Sequence, residues 1–201
     1  MTEEVVRTRN KAKTRQKLLA AARELFYENG ICATGVSAVA ERAGVTKMTL
    51  YAHFSSKDDL VAAYLEDNDR RWREFLEAKL SDYEDSRDRL LAVCVAYREY
   101  FVAREMRGCA FVNCAAEFPD PDHPARRVIR RHKAGVRERL RDLAAEAGAE
   151  DSARLAERLF VVLEGAYVTG ALEGDRGVLD RSRAFFAELV EAGVRYQAAD
   201  G

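Results

Sequence analysis

The sequence predicts an all-α protein of about nine helices, and three observations carry that prediction. Only three prolines occur, all within residues 119–124, so proline-free tracts suited to helices lie on both sides. Apolar residues recur at helical rather than alternating spacing along most of the chain. The composition, 48% hydrophobic and 33% charged, suits helices with one buried stripe and a strongly polar outer face.

The elements follow in order. A first helix is expected over residues 12–28, with Leu18, Ala22, Leu25 and Phe26 on one face and Asn29 and Gly30 closing it. The basic residues Arg7, Arg9, Lys11, Lys13, Arg15 and Lys17 precede or open it with no acid among them. They read either as a solvated terminus or as an arm that seeks phosphates. Two short helices are expected at 36–43 and 47–53, and a long amphipathic one at 57–80, with Leu60, Tyr64, Trp72, Phe75, Leu76 and Leu80 along its stripe. Another covers 86–105, and Gly108 opens a shorter apolar segment ending at Phe118. Pro119, Pro121 and Pro124 must interrupt the helix there. A strongly charged helix follows at 125–147, then two more at 152–172 and 178–197, separated by Gly174 to Gly177. This organisation separates residues 1–56, an N-terminal arm with three helices, from residues 57–201, a larger helical part.

No apolar run approaches the roughly 20 residues of a membrane span, and Met1 to Glu4 lack the basic-then-apolar order of a secretory signal. The expectation is a cytoplasmic protein with no membrane partner. Cys32, Cys94, Cys109 and Cys114 form no CxxC pair and are expected to be reduced thiols. No cofactor and no metal are expected.

The informative stretch runs from Thr34 to Lys57. Gly44 sits where a sharp turn needs positive φ. Thr46 is placed to cap the second short helix, and Val45 and Leu50 occupy the two positions of a hydrophobic staple. Short helices joined in this way are the geometry of a helix-turn-helix. A two-turn helix must be held by packing, here through Leu50 and Phe54. Met48 and Ala52 then point outward, flanked by Lys47, Thr49, Tyr51 and His53. An outward methionine on a firmly held helix suits contact with thymine methyls in a major groove, and Thr49 can reach base edges or a phosphate. Lys57 falls in the first turn of the long helix, where the macrodipole disfavours a cation unless a phosphate docks there.

Thr34, Ala40, Ala43, Gly44, Val45, Thr46, Leu50, Tyr51, His53, Phe54, Lys57 and Leu60 match, in order and spacing, the pattern T-x(5)-A-x-x-A-G-V-[ST]-x-x-x-L-Y-x-H-F-x-x-K-x-x-L. Residues 12–60 thereby resemble the DNA-binding domain of TetR-type (TetR/AcrR) transcriptional regulators. The resemblance implies that Thr34, Lys47, Tyr51, His53 and Lys57 contact phosphates or nearby groups, while Met48 and Thr49 read bases. Met48 and Ala52 depart from the residues common in the family, which bears on operator sequence. The resemblance further implies a homodimer on a palindromic double-stranded operator, with repression relieved by a small-molecule effector.

The resemblance also implies that the last two helices form a four-helix bundle with a second subunit, for which the sequence offers Leu159, Phe160, Leu163, Phe186, Val190 and Val194. Effector-lining residues are expected among Trp72, Tyr97, Phe101, Phe111, Asn113, Cys114, Glu117, Phe118, His132 and Tyr167, with Asn113 and Glu117 as polar anchors. Two rival readings remain open at this point. A thiol- or metal-responsive regulator would use Cys109, Cys114, His123 and His132, whose spacing fits none of the usual zinc patterns. A helical enzyme would use Glu117, His132, Asp120 and Asp122, with no nucleophile motif or phosphate loop beside them.

Overall fold

The computed structural model describes the backbone of residues 3–105 and 107–194, with side chains from residue 8 onward. Among these residues there are nine helices and no strand, apart from an isolated bridge between Ala149 and Val194. The helices are α1 (Glu3–Asn29), α2 (Val36–Arg42), α3 (Lys47–Tyr51), α4 (Lys57–Leu80), α5 (Ser86–Val102), α6 (Ala110–Glu117), α7 (Pro124–Glu146), α8 (Ser152–Glu173) and α9 (Gly177–Gly193). No helix of the described residues is long and apolar enough to cross a membrane.

The expected elements are present, with one sizeable change. The basic arm is not a separate segment, because α1 is helical from Glu3. No glycine or proline interrupts the basic residues, so nothing in the sequence stops the helix from running back through them. The side chain of Arg7 and residues 195–197 of the expected last helix lie outside the described residues.

The chain divides into two compact units. The first comprises residues 1–69 and 110–129. In it Leu18, Ala22 and Phe26 of α1, Val39 and Ala40 of α2, Leu50, Phe54 and the α4 residues Leu60, Val61, Tyr64 and Leu65 are buried. The rings of Phe26 and Tyr64 meet edge to face at 5.4 Å. Segment 110–129 carries the proline break: α6 stops at Glu117 and α7 starts at Pro124, where a missing N–H costs nothing. His123 Nδ1 accepts the Ala125 N–H at 3.2 Å, closing the new helix end, and the His123 ring stacks on Phe118 at 4.1 Å.

The second unit comprises residues 70–109 and 130–201. The described part of its core is built from α5, α8 and α9 together with parts of α4 and α7. Trp72, Tyr97, Phe101 and Tyr167 form one aromatic cluster, with centroid separations of 4.5 Å for Trp72–Tyr97, 5.4 Å for Tyr97–Tyr167 and 4.4 Å for Phe101–Tyr167. Lys133 lies half-buried, its ammonium forked by both carboxylate oxygens of Glu164 at 2.6 Å.

The residues named for pairing need correction. Leu159, Phe160, Leu163, Phe186 and Val190 are buried in the chain's own core, and Val194 is half-buried against it. A helix apolar on two sides shows in sequence that it needs two neighbours, but not which side meets which. Here Leu159, Phe160, Leu163 and Tyr167 of α8 and Phe186 and Val190 of α9 pack within the protomer. Val161, Gly165, Val168 and Leu172, spaced four, three and four apart, form an exposed stripe on α8, and Phe185 is exposed on α9.

Candidate nucleic-acid interface

The site rests on how α2 and α3 are joined. α2 ends in a full Schellman arrangement: the Gly44 N–H bonds Glu41 O at 3.0 Å and the Val45 N–H bonds Ala40 O at 3.0 Å. Gly44 takes φ +68°, as that arrangement requires. Thr46 then caps α3, its Oγ1 accepting the Thr49 N–H at 3.1 Å and lying 2.9 Å from Thr49 Oγ1. Leu50 is the one buried side chain of the five-residue α3. With Phe54 it pins the helix, and Phe54 is covered from outside by the Arg15 guanidinium, 5.3 Å above its ring.

Holding α3 this way leaves Met48 81% exposed, with Lys47, Tyr51 and Ala52 exposed beside it. The Lys47 ammonium sits 5.9 Å from the centre of the Tyr51 ring. Ser56 caps α4 by accepting the Asp59 N–H at 3.0 Å, which places Lys57 at the first helical position. The Lys57 ammonium donates to Cys32 O at 3.4 Å, keeping further N–H donors for other partners.

One predicted phosphate contact is spent internally. Thr34 is buried, and its hydroxyl lies 2.7 Å from Gly30 O and 3.3 Å from Leu25 O, closing the carbonyl end of α1. Two basic residues of the arm, Lys11 and Arg15, lie close to His53. Burial first, and then the charges of Lys11 and Arg15, hold the His53 imidazole below its ordinary value. Lys11 and Arg15 are four apart on α1 and therefore share the face that meets His53. Their i, i+4 spacing is visible in the sequence, but its use depends on α1 extending back through the arm.

The sign of the His53 effect is definite. Its folded value lies below the unfolded one, so the folded unit binds fewer protons and loses stability as pH falls through about 6.5. A phosphate beside the imidazole would reverse this by favouring the charged form. DNA affinity is therefore expected to rise between pH 7.5 and 6, and His53→Gln should flatten the rise. Equal pH dependence in both proteins would remove His53 from the contact set.

The residues expected to line an effector site are divided between the two units. Trp72, Tyr97, Phe101, Tyr167 and the buried His132 belong to the second unit, whereas Phe111, Asn113, Cys114, Glu117 and Phe118 belong to the first. The polar anchors need correction. Asn113 is exposed, and the Glu117 carboxylate accepts the Ile31 N–H at 2.9 Å and the Cys32 N–H at 2.6 Å. A surface groove of about 400 Å³ in the second unit is lined by other residues, among them Arg137, Glu138 and Arg141.

For the thiol and metal reading, burial pushes the thiols of Cys94 and Cys114 up to about 11 and about 12, which leaves them almost entirely protonated at neutral pH. Cys109 is half-buried, with its sulfur 3.6 Å from the Lys133 ammonium. Among the described residues no group of three or more histidines, cysteines and carboxylates is arranged to hold a metal ion.

Comparison with known proteins agrees with this geometry. Residues 18–64 match the profile of bacterial regulatory proteins of the tetR family, and residues 86–186 match the tetracyclin repressor-like C-terminal domain. The fold is similar to the crystal structure of a TetR-family transcriptional regulator from Streptomyces coelicolor, with 30% sequence identity and a TM-score of 0.85 over 92% of this chain and 97% of that one. Among curated proteins, the transcriptional activator FasR of Mycolicibacterium smegmatis is 37% identical over 94 residues, which are 47% of this chain and 42% of FasR. The regulator TtgR of Pseudomonas putida is 39% identical over 87 residues, 43% of this chain and 40% of TtgR. These curated matches thus span less than half the length of each relative. The profiles over both parts of the chain, the near full-length structural match and the helix-turn-helix built on Gly44, Thr46 and Leu50 together establish that the chain belongs to the TetR family.

Proposed function

We propose that the protein is a sequence-specific DNA-binding transcription regulator, acting as a homodimeric repressor that a small-molecule effector releases from a palindromic operator. The observation that carries this reading is Met48, a large apolar side chain almost fully exposed on a helix that Leu50 and the Thr46 cap hold in place. Exposing it has a use when the helix lies in a major groove. In this reading Met48, Thr49 and Ala52 meet base edges, while Lys47, Tyr51, His53, Lys57, Lys11 and Arg15 meet the phosphate backbone. Residues 1–56, with Lys57 at the start of α4, supply the reading part, and the rest of 57–201 the sensing and pairing part, of a cytoplasmic protein. Two reading helices must meet half-sites roughly 34 Å apart, which a dimer provides.

Release is a shift between two arrangements of the dimer. An effector that lowers DNA affinity 1,000-fold must bind the DNA-free arrangement more tightly by about 4 kcal/mol. The effector is proposed to contact the aromatic cluster of Trp72, Tyr97, Phe101 and Tyr167. No enzymatic step is needed for this cycle. An activator would use the same contacts but raise transcription from its operator, so a reporter assay separates the two modes.

The test uses a duplex selected from a random DNA pool by the wild-type protein. Tyr51→Ala and Lys57→Ala are expected to weaken binding to all duplexes about tenfold each, and Lys57→Ala to reduce the salt slope by about one. Met48→Ala is expected to change which duplexes are selected. Unchanged affinity in both phosphate-contact variants would overturn the assignment of α3 and the α4 start to DNA.

A further inference from the structure

Glu117 ends α6 yet is bound to a turn 86 residues earlier in the chain. α1 closes at Gly30, which takes φ +86°. The next two N–H groups, those of Ile31 and Cys32, converge on the two carboxylate oxygens of Glu117. The carboxylate lies against Gly30 itself, with Oε2 3.5 Å from where a Cβ would stand. Two further side chains hold the same turn: Thr34 through the carbonyl of Gly30, and Lys57 through the carbonyl of Cys32. The turn joins α1 to α2, which packs against both α1 and α3, so its geometry bears on where α3 points. It also holds the ammonium of Lys57, one of the groups assigned to the phosphate backbone.

We propose that Glu117 is a positioning residue for DNA binding. Its carboxylate latches the α1–α2 turn, keeping α2, α3 and the Lys57 ammonium in one register, without touching DNA itself. The proposal rests on the reading of the protein as a DNA-binding regulator. Its physical basis is that two charge-assisted hydrogen bonds from successive N–H groups fix the direction of a peptide plane as well as its position. A carboxylate near a phosphate-binding lysine could instead only repel DNA, and that alternative has the opposite sign.

The experiment compares full-length wild type, Glu117→Gln and Glu117→Ala on the selected duplex over a range of salt, with the active fraction fixed by stoichiometric titration. Glu117→Ala is expected to bind about tenfold more weakly, with the salt slope falling by no more than the single contact that Lys57→Ala removes. Glu117→Gln, which keeps one acceptor, should recover most of the affinity. Amide exchange at Ile31 and Cys32 should accelerate in the alanine variant. The proposal is overturned if Glu117→Ala binds within twofold of wild type, or if both variants bind more tightly. It is also overturned if the loss is only a fall in active fraction. A wild-type protein that selects no duplex would instead sink the DNA-binding reading beneath it.

Discussion

Replacing Leu172 and Phe185 together by glutamate is expected to leave a folded monomer that binds operator DNA at least 100-fold more weakly. Leu172 is 82% exposed and Phe185 59% exposed, so neither substitution removes much of the protomer's own packing. On α8, Leu172 continues the exposed stripe of Val161, Gly165 and Val168, where the absent side chain at 165 allows a facing helix to approach closely. If this stripe pairs the subunits, each glutamate would bury an uncompensated charge, twice per dimer by symmetry. A monomer loses the gain of holding two half-sites at once, which is commonly 100-fold or more. Sedimentation equilibrium and DNA titration measure the two effects separately. A double variant that remains dimeric at micromolar concentration would place the pairing surface elsewhere. Alanine at Leu159 or Phe186 should behave differently, losing about 2–5 kcal/mol of stability because those side chains fill the protomer core.

Leu50→Ala is the second large effect. α3 has five residues and a single buried side chain, fully inaccessible to solvent. A helix this short has no stability of its own, so it persists only through that contact, the Thr46 cap and the turn at Gly44. Truncating Leu50 removes about 2–5 kcal/mol from this contact, comparable with everything else that holds α3. DNA affinity is expected to fall by 100-fold or more, while far-UV circular dichroism changes little because the other eight helices do not depend on it. The measurement pairs operator binding with amide exchange at Leu50 and Tyr51. Wild-type affinity in this variant would mean that α3 is held by contacts other than this one.

The helices and the helix-turn-helix were largely legible in the sequence because both are set by local chemistry. Gly44, Thr46 and the Val45–Leu50 spacing act within a dozen residues, and turn and cap requirements of that kind are written directly in residue types. What stayed hidden depends on partners distant in the chain. Thr34 reads as a free hydroxyl until α1's carbonyl end is placed beside it. Glu117 reads as a pocket anchor because its apolar neighbours suggest burial, whereas its partners are two N–H groups near residue 31. The exposed stripe on α8 was hidden for a different reason. α8 is apolar on nearly every side, and only packing shows that Leu159 and Leu163 face inward while Val161 and Leu172 face outward. The effector residues were chosen for aromatic and polar type, a criterion that does not separate a wall from a core.

The way α3 is held has a consequence for how this protein can acquire new targets. Leu50 bears the attachment of the helix, whereas Met48 and Ala52 bear none of it. Exchanging residues at 48 and 52 should therefore leave the folding equilibrium almost untouched, so operator preference can drift through many neutral variants without passing through an unfolded intermediate. Thr49 is less free, since its hydroxyl and N–H are both tied to the cap at Thr46. A library randomised at 48 and 52 alone should yield mostly folded regulators with redistributed DNA preference, and adding position 49 should lower the folded fraction only modestly, since every residue but proline keeps the N–H bond to Thr46.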